Sequence, residues 1–237
     1  MRVLIPRAGG AVGTRVTLDD NEVHHLRVRR ARDQEPVELL DGAGLSGRGR
    51  LIHSGSDWLV EIESLEHEQA PAELTLAVAA GDRDRFIWMA EKSVELGVTT
   101  LVPLLTTHTA AVATRLKESH LPRLRRSMLE VLKQCGSAWA PTLEDPMPLE
   151  SFLQQKQPDV RWLADRAGET VPSQLDSSPL TIVVGPEGGL TEGERADIIA
   201  AGYSPVALGP HTLRFETAAV AALAAAGQAR LRGRSHG

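Results

Sequence analysis

Apolar and polar residues alternate along Trp58-Leu59-Val60-Glu61-Ile62-Glu63, the pattern of a strand with one face in a core. Other short β-like runs precede it: MRVLI (1–5), TRVTL (14–18), PVELLDG (36–42) and GRGRLIHSG (47–55), with glycines at the joints. Only DDNEVHHLRVRR (19–30) reads as a helix in this part of the chain. Several short strands in about seventy residues predict a small, compact β-barrel. The polar stretch EHEQAPAE (66–73), with Pro71, reads as a linker. It divides the expected domains into 1–70 and 71–237.

The rhythm then changes. LTLAVAA (74–80), VTTLVPLL (98–105), VRWLAD (160–165), LTIVVG (180–185) and SPVALG (204–209) are buried-type strands. Helical patterns lie between and after them at 84–97, 115–136, 191–202 and 216–232. In the first, Phe86, Met89, Ala90, Val94 and Gly97 are spaced to line one face. Pro122 is expected to interrupt the second. Alternating strands and helices predict an α/β domain with a mainly parallel sheet.

Three strand ends carry unusual residues: VPLLTT (102–107), GPEGGL (185–190) and LGPHTLRFETA (208–218). Ligands in open α/β sheets bind at the carboxyl ends of strands. After the second, Thr191 and Glu194 have the spacing of a capping box, so the next helix is expected to start already capped. No Gly-Lys-Ser/Thr follows the glycines, there is no Gly-x-Gly-x-x-Gly, and Glu187 would repel a polyphosphate. The loop therefore suits a ligand with little or no negative charge, although a ligand-free tight turn accounts for it equally well. The third strand end brings Arg214 and Glu216 to a similar Gly-Pro turn, and two such loops read as two walls of one pocket.

VVGPEGGLTEGE, LGPHTLRFETAAVAAL and ELGVTTLVPL closely resemble the RsmE family of small-subunit ribosomal RNA methyltransferases, within the SPOUT superfamily. HHLRVRR and VELLDG resemble that family's N-terminal RNA-binding barrel. The resemblance implies an α/β fold: a C-terminal SPOUT-type trefoil-knotted parallel sheet with helices, plus a small PUA-like β-barrel. It also implies a homodimer, S-adenosylmethionine as methyl donor, and methylation of N3 of one uridine in 16S rRNA of the small ribosomal subunit. Leu104, Thr106, Gly185, Glu187, Gly188, Leu208, Gly209, Leu213 and Thr217 would surround the cofactor. Arg214 would stabilise the developing uracil anion, and Glu187, Glu216 or His211 would accept the proton. The chain departs from the family where His211 replaces a basic residue, Phe215 a small polar one, and TTHT (106–109) the usual Thr-Glu-Arg-Ser. Rival readings are a SPOUT enzyme for another nucleoside, including one acting at a ribose 2′-oxygen, and a non-catalytic RNA-binding or ribosome-assembly factor.

Composition limits the partner surface. With a net charge of -5, RNA binding must come from local basic patches. His25, Arg27, Arg29, Arg30 and Arg32 form one candidate, against a solvated helix face; Arg83 and Arg85 form another, against pairing with Asp82 and Asp84. Arg123, Arg125, Arg126 and Lys133 read as a solvated face, and Arg230, Arg232 and Arg234 as a mobile tail. His24, His25, His53 and His67 lack metal-ligand spacing, so no metal is expected. Cys135 is the only cysteine and is expected to fill a gap between helices. Trp88 and Trp139 fit a core or an interface. MRVLIPRAGG lacks the apolar run of a signal peptide and the stretch 217–229 is too short to span a bilayer, so no membrane partner and a cytoplasmic protein are expected.

Overall fold

The computed structural model describes residues 1–7 and 9–234. It divides into two compact units: Met1–Pro71 with Leu129–Ala140, and Ala72–Met128 with the chain from Pro141 onward. Among the described residues no helix is long and apolar enough to cross a membrane.

The first unit holds β1 (Arg2–Leu4), β2 (Arg15–Thr17), α1 (Asp20–Val28), β3 (Pro36–Leu40), β4 (Leu45–Ser54) and β5 (Asp57–His67). The strands lie in the order β1-β3-β4-β5-β2, with β1 parallel to β3 and the other pairs antiparallel. The expected compact barrel thus takes the form of a five-stranded, mostly antiparallel sheet. Among the described residues no ladder pairs β1 with β2. Trp58, Val60 and Ile62 alternate inward and pack with Val3, Leu39 and Leu51 and with Val23 and Leu26 of α1. Gly47 and Gly49 are required by close approach, because a Cβ there would collide with the Ser64 and Glu61 carbonyls. The register shifts between Arg48 and Gly49, which bends the strand at a bulge.

Helix α1 starts where Asp19 accepts the Glu22 amide at 2.8 Å. It stops at Val28, short of the expected end, and Arg30 turns the chain with a φ of 54°. Lys133 corrects the expectation of a solvated basic face. Its Nζ is buried and donates to Glu22 at 2.6 Å and Glu130 at 2.7 Å. Burial works against the ammonium, but two carboxylates outweigh it and raise its pKa. Trp139 lies over Gly44 and donates its indole N–H to the Glu68 carbonyl at 3.3 Å. Cys135 is exposed and fills no gap.

The second unit contains β6 (Leu74–Ala79), α2 (Arg83–Glu95), β7 (Thr100–Leu105), β8 (Thr142–Leu143), β9 (Met147–Pro148), α4 (Leu149–Leu153), β10 (Val160–Thr170), β11 (Leu180–Val184), α5 (Glu192–Ala200), β12 (Ser204–Ala207) and α6 (Phe215–Arg234). Helix α3 (Leu121–Cys135) crosses the division, its last two turns belonging to the first unit. The strand order is β12-β10-β11-β6-β7-β8, with β9 beside β7, and every pair is parallel. All carboxyl ends therefore face one edge of the sheet. Strands β6 and β11 are almost wholly buried, as expected of a parallel sheet covered on both faces.

Three expectations are corrected here. Pro122 interrupts nothing: it sits in the first turn of α3, where its missing N–H leaves no bond unmade. Gly97 lies beyond the end of α2 with a φ of +79° and ends the helix instead of lining it. Arg230 and Arg232 belong to α6, not to a tail, and Arg230 donates to the carbonyls of Ala72, Glu73 and Ser178. Arg234 closes that helix.

Candidate active site

A cavity of about 240 Å³ opens at the carboxyl ends of β12 and β11 and along the middle of β10, which lies between them. Its walls are Leu163–Arg166 within β10, where the register with β12 shifts, Gly185, Pro186, Gly189 and Leu190 after β11, and Leu208, Gly209 and His211–Leu213 after β12. Phe215 and Ala218 of α6 complete it. The two Gly-Pro loops face one space because β10 lies between the strands that carry them.

The glycine loop is held by main-chain and side-chain bonds from its neighbours. Glu187 Oε2 accepts the Gly81 amide at 3.0 Å. Thr191 caps α5, and Glu194 returns the bond to the Thr191 amide at 2.9 Å, so two of the amides at the helix start are already satisfied within the protein. The other oxygen of Glu194 accepts the Thr107 amide at 2.7 Å and its hydroxyl at 3.0 Å. Burial pushes the Glu194 pKa up, but these hydrogen bonds from Thr107 and Thr191 outweigh it and hold the carboxyl below its usual value. His108 Nδ1 lies 2.8 Å from the Gly189 carbonyl. Thr106 and Thr109 are buried and joined through their hydroxyls at 3.0 Å. Every residue of the TTHT segment is therefore engaged.

Of the residues expected around a cofactor, Gly185, Leu208, Gly209 and Leu213 line the cavity, as does His211. Leu104, Thr106, Glu187, Gly188 and Thr217 lie outside its lining: Leu104 is packed in the core, Thr106 is closed off by Thr109, and Glu187 is taken by Gly81. Gly188 does not have a φ that only glycine favours; Gly189 does, at +75°. A Cβ on Gly209 would meet no protein atom, only open space.

Arg214 is exposed and, among the described residues, pairs with neither Glu187 nor Glu216. Its carbonyl accepts the Ala218 amide at 2.8 Å, opening α6. Glu216 instead faces Arg85 at 3.8 Å, and its Oε2 is buried with no hydrogen-bond partner among the described residues. Arg85 also lies 3.6 Å from Asp82, and Arg83 pairs with Asp84 at 2.8 Å, so the pairing alternative holds for both arginines. In the first unit, Arg27 donates to the Ser56 carbonyl at 2.7 Å. Arg29, Arg30 and Arg32 are exposed, and His25 is half-buried, its pKa lowered first by burial and then by Lys133.

The sequence reading missed Asp165 and Arg195, which meet at 2.5 Å in the cavity wall. Burial raises the Asp165 pKa, and the Ala167 amide and the Arg195 guanidinium more than reverse it. The signal was an acidic residue closing the apolar run VRWLAD, although β10 continues past it to Thr170. Phe215, noted only as a departure, is a buried wall of the cavity.

A model of an RNA methyltransferase domain matches residues 68–227. Ribosomal RNA small subunit methyltransferase E of Synechocystis is 31% identical over 220 residues, spanning 88% of this chain and 71% of that protein. The Rickettsia conorii protein of the same name is 27% identical over 215 residues, 86% of each chain. The crystal structure of ribosomal RNA small subunit methyltransferase E from Neisseria gonorrhoeae, bound to S-adenosyl methionine, superposes with a TM-score of 0.85 at 29% identity, covering 94% of this chain and 95% of that one. The chain belongs to the RNA methyltransferase family that includes these small-subunit enzymes.

Proposed function

We propose that this protein methylates N3 of a uridine in the 16S rRNA of the small ribosomal subunit, using S-adenosylmethionine. The observation that carries the reading is the cavity between the two Gly-Pro loops, flanked at Leu213 and Phe215 by an exposed Arg214 that pairs with no carboxylate among the described residues. The wall residues fit this cofactor. They are mostly glycine, proline, leucine and alanine, and Gly209 leaves open the space a side chain would fill. Gly185, Leu208, Gly209 and Leu213 would hold it directly. Leu104, Thr106, Glu187, Gly188 and Thr217 would shape the walls from behind or reach it with backbone groups.

The bound cofactor supplies a methyl group on a sulfonium, which is released as a neutral thioether. The protein's part is placement and charge. Uracil N3 becomes nucleophilic as its proton leaves, and the negative charge spreads to two carbonyl oxygens. The Arg214 guanidinium stabilises that charge but cannot take the proton. Among the three candidate acceptors, Glu187 is occupied by Gly81 and Glu216 faces Arg85. His211 lines the cavity with an exposed imidazole and is the acceptor we assign.

His25, Arg27, Arg29, Arg30 and Arg32 would contact rRNA phosphates, which position the substrate without reading its sequence. The resemblance supports a homodimer with a knotted C-terminal domain, acting in the cytoplasm; light scattering tests the dimer. Mass spectrometry of 16S rRNA from cells with and without the protein tests the reaction. Loss of one N3-methyluridine on deletion is expected, and an unchanged modification map overturns it.

A further inference from the structure

The TTHT segment differs from the family's usual residues, yet each of its four side chains is hydrogen-bonded. Thr107 is fixed by two bonds to one oxygen of Glu194, and Thr106 by Thr109. The backbone that presents His108 is thereby held. The imidazole lies against Gly188, where a Cβ would stand 3.4 Å from the ring, and its Nδ1 reaches the Gly189 carbonyl at 2.8 Å. Gly189 has no side chain to fix its loop. Besides His108, only the Gly189 amide to Pro186 carbonyl bond at 2.9 Å holds that residue among the described contacts. Gly189 is also a wall of the cavity.

We propose that His108 is a positioning residue for the cofactor loop: its Nδ1–H, donated to the Gly189 carbonyl, holds residues 185–190 in the shape that walls the cavity. This rests on reading the cavity as the cofactor site. A carbonyl only accepts, so Nδ1 carries the hydrogen, and Nε2 is left to solvent. Both the neutral tautomer and the imidazolium keep that hydrogen, so the bond survives protonation. His108 touches no reacting atom in this account.

The test compares wild type, His108→Ala and His108→Asn. Asparagine places an amide N–H at the same distance from Cβ as Nδ1. Calorimetry with S-adenosylmethionine should show affinity falling about tenfold in His108→Ala, the weight of one hydrogen bond, and recovering most of the way in His108→Asn. Hydrogen exchange without cofactor should speed up at 185–190 in His108→Ala and recover in His108→Asn, with both variants melting close to wild type. Wild-type affinity and exchange in His108→Ala, or no rescue by His108→Asn, overturn the proposal while leaving the cofactor site standing. Failure of the wild-type protein to bind S-adenosylmethionine overturns both.

Discussion

Glu187 and Gly81 meet across two strand ends, the carboxylate accepting the backbone amide at 3.0 Å. A charge within a glycine loop is explained by this bond: it ties the loop after β11 to the end of β6. Glu187→Gln keeps an acceptor oxygen, whereas Glu187→Ala leaves the amide to water. Denaturant unfolding should show a loss of about 1 kcal/mol for alanine and a much smaller loss for glutamine. Equal losses would show that the bond does not fix the loop.

Gly209 and Gly189 should fail in different ways. The Cβ of a valine at Gly209 meets no protein atom within 4 Å and enters open space at the cavity wall, so the fold should survive and cofactor affinity should collapse in calorimetry. Alanine at Gly189 must adopt a φ of +75°, at a cost of about 1 kcal/mol visible in the melting temperature. Unchanged affinity in Gly209→Val would remove the loop after β12 from the site.

Glu194 predicts a pH dependence. Its folded pKa is lowered, so it contributes stability at pH above its ordinary value of 4.5. That contribution is lost as pH falls below 4.5 through the lowered folded pKa. Denaturation midpoints measured through this acid range should fall more steeply in wild type than in Glu194→Gln. Parallel curves would contradict the double hold of Glu194 on Thr107 and Thr191.

Much of this was legible in the chain because the signals are local. The alternation at Trp58–Glu63, the apolar runs of β6 and β11, and the Thr191–Glu194 capping box are short-range patterns. What stayed hidden depends on long-range pairing. Lys133 looks like any helix-surface lysine until Glu22, 111 residues away, is placed against it. Strands β8 and β9 have two residues each, too short for any period, and exist because β7 offers them an edge. Arg195 falls within a legible helix, but only the strand order puts it against Asp165.

The basic segment in and after α1 should serve RNA. Reversing charge at Arg27, Arg29 and Arg30 should weaken binding to small subunits and flatten its salt dependence, with cofactor affinity unchanged. An unaltered salt slope would return these residues to a solvated helix face.

The most direct test is single-turnover methyl transfer from labelled S-adenosylmethionine to unmodified small ribosomal subunits, comparing wild type with Arg214→Ala. The account predicts label on N3 of one uridine, with a rate lowered about 100- to 1000-fold in the variant while cofactor affinity and melting temperature stay near wild type. Label on a ribose oxygen, no transfer at all, or a rate that falls only in proportion to cofactor binding would contradict it.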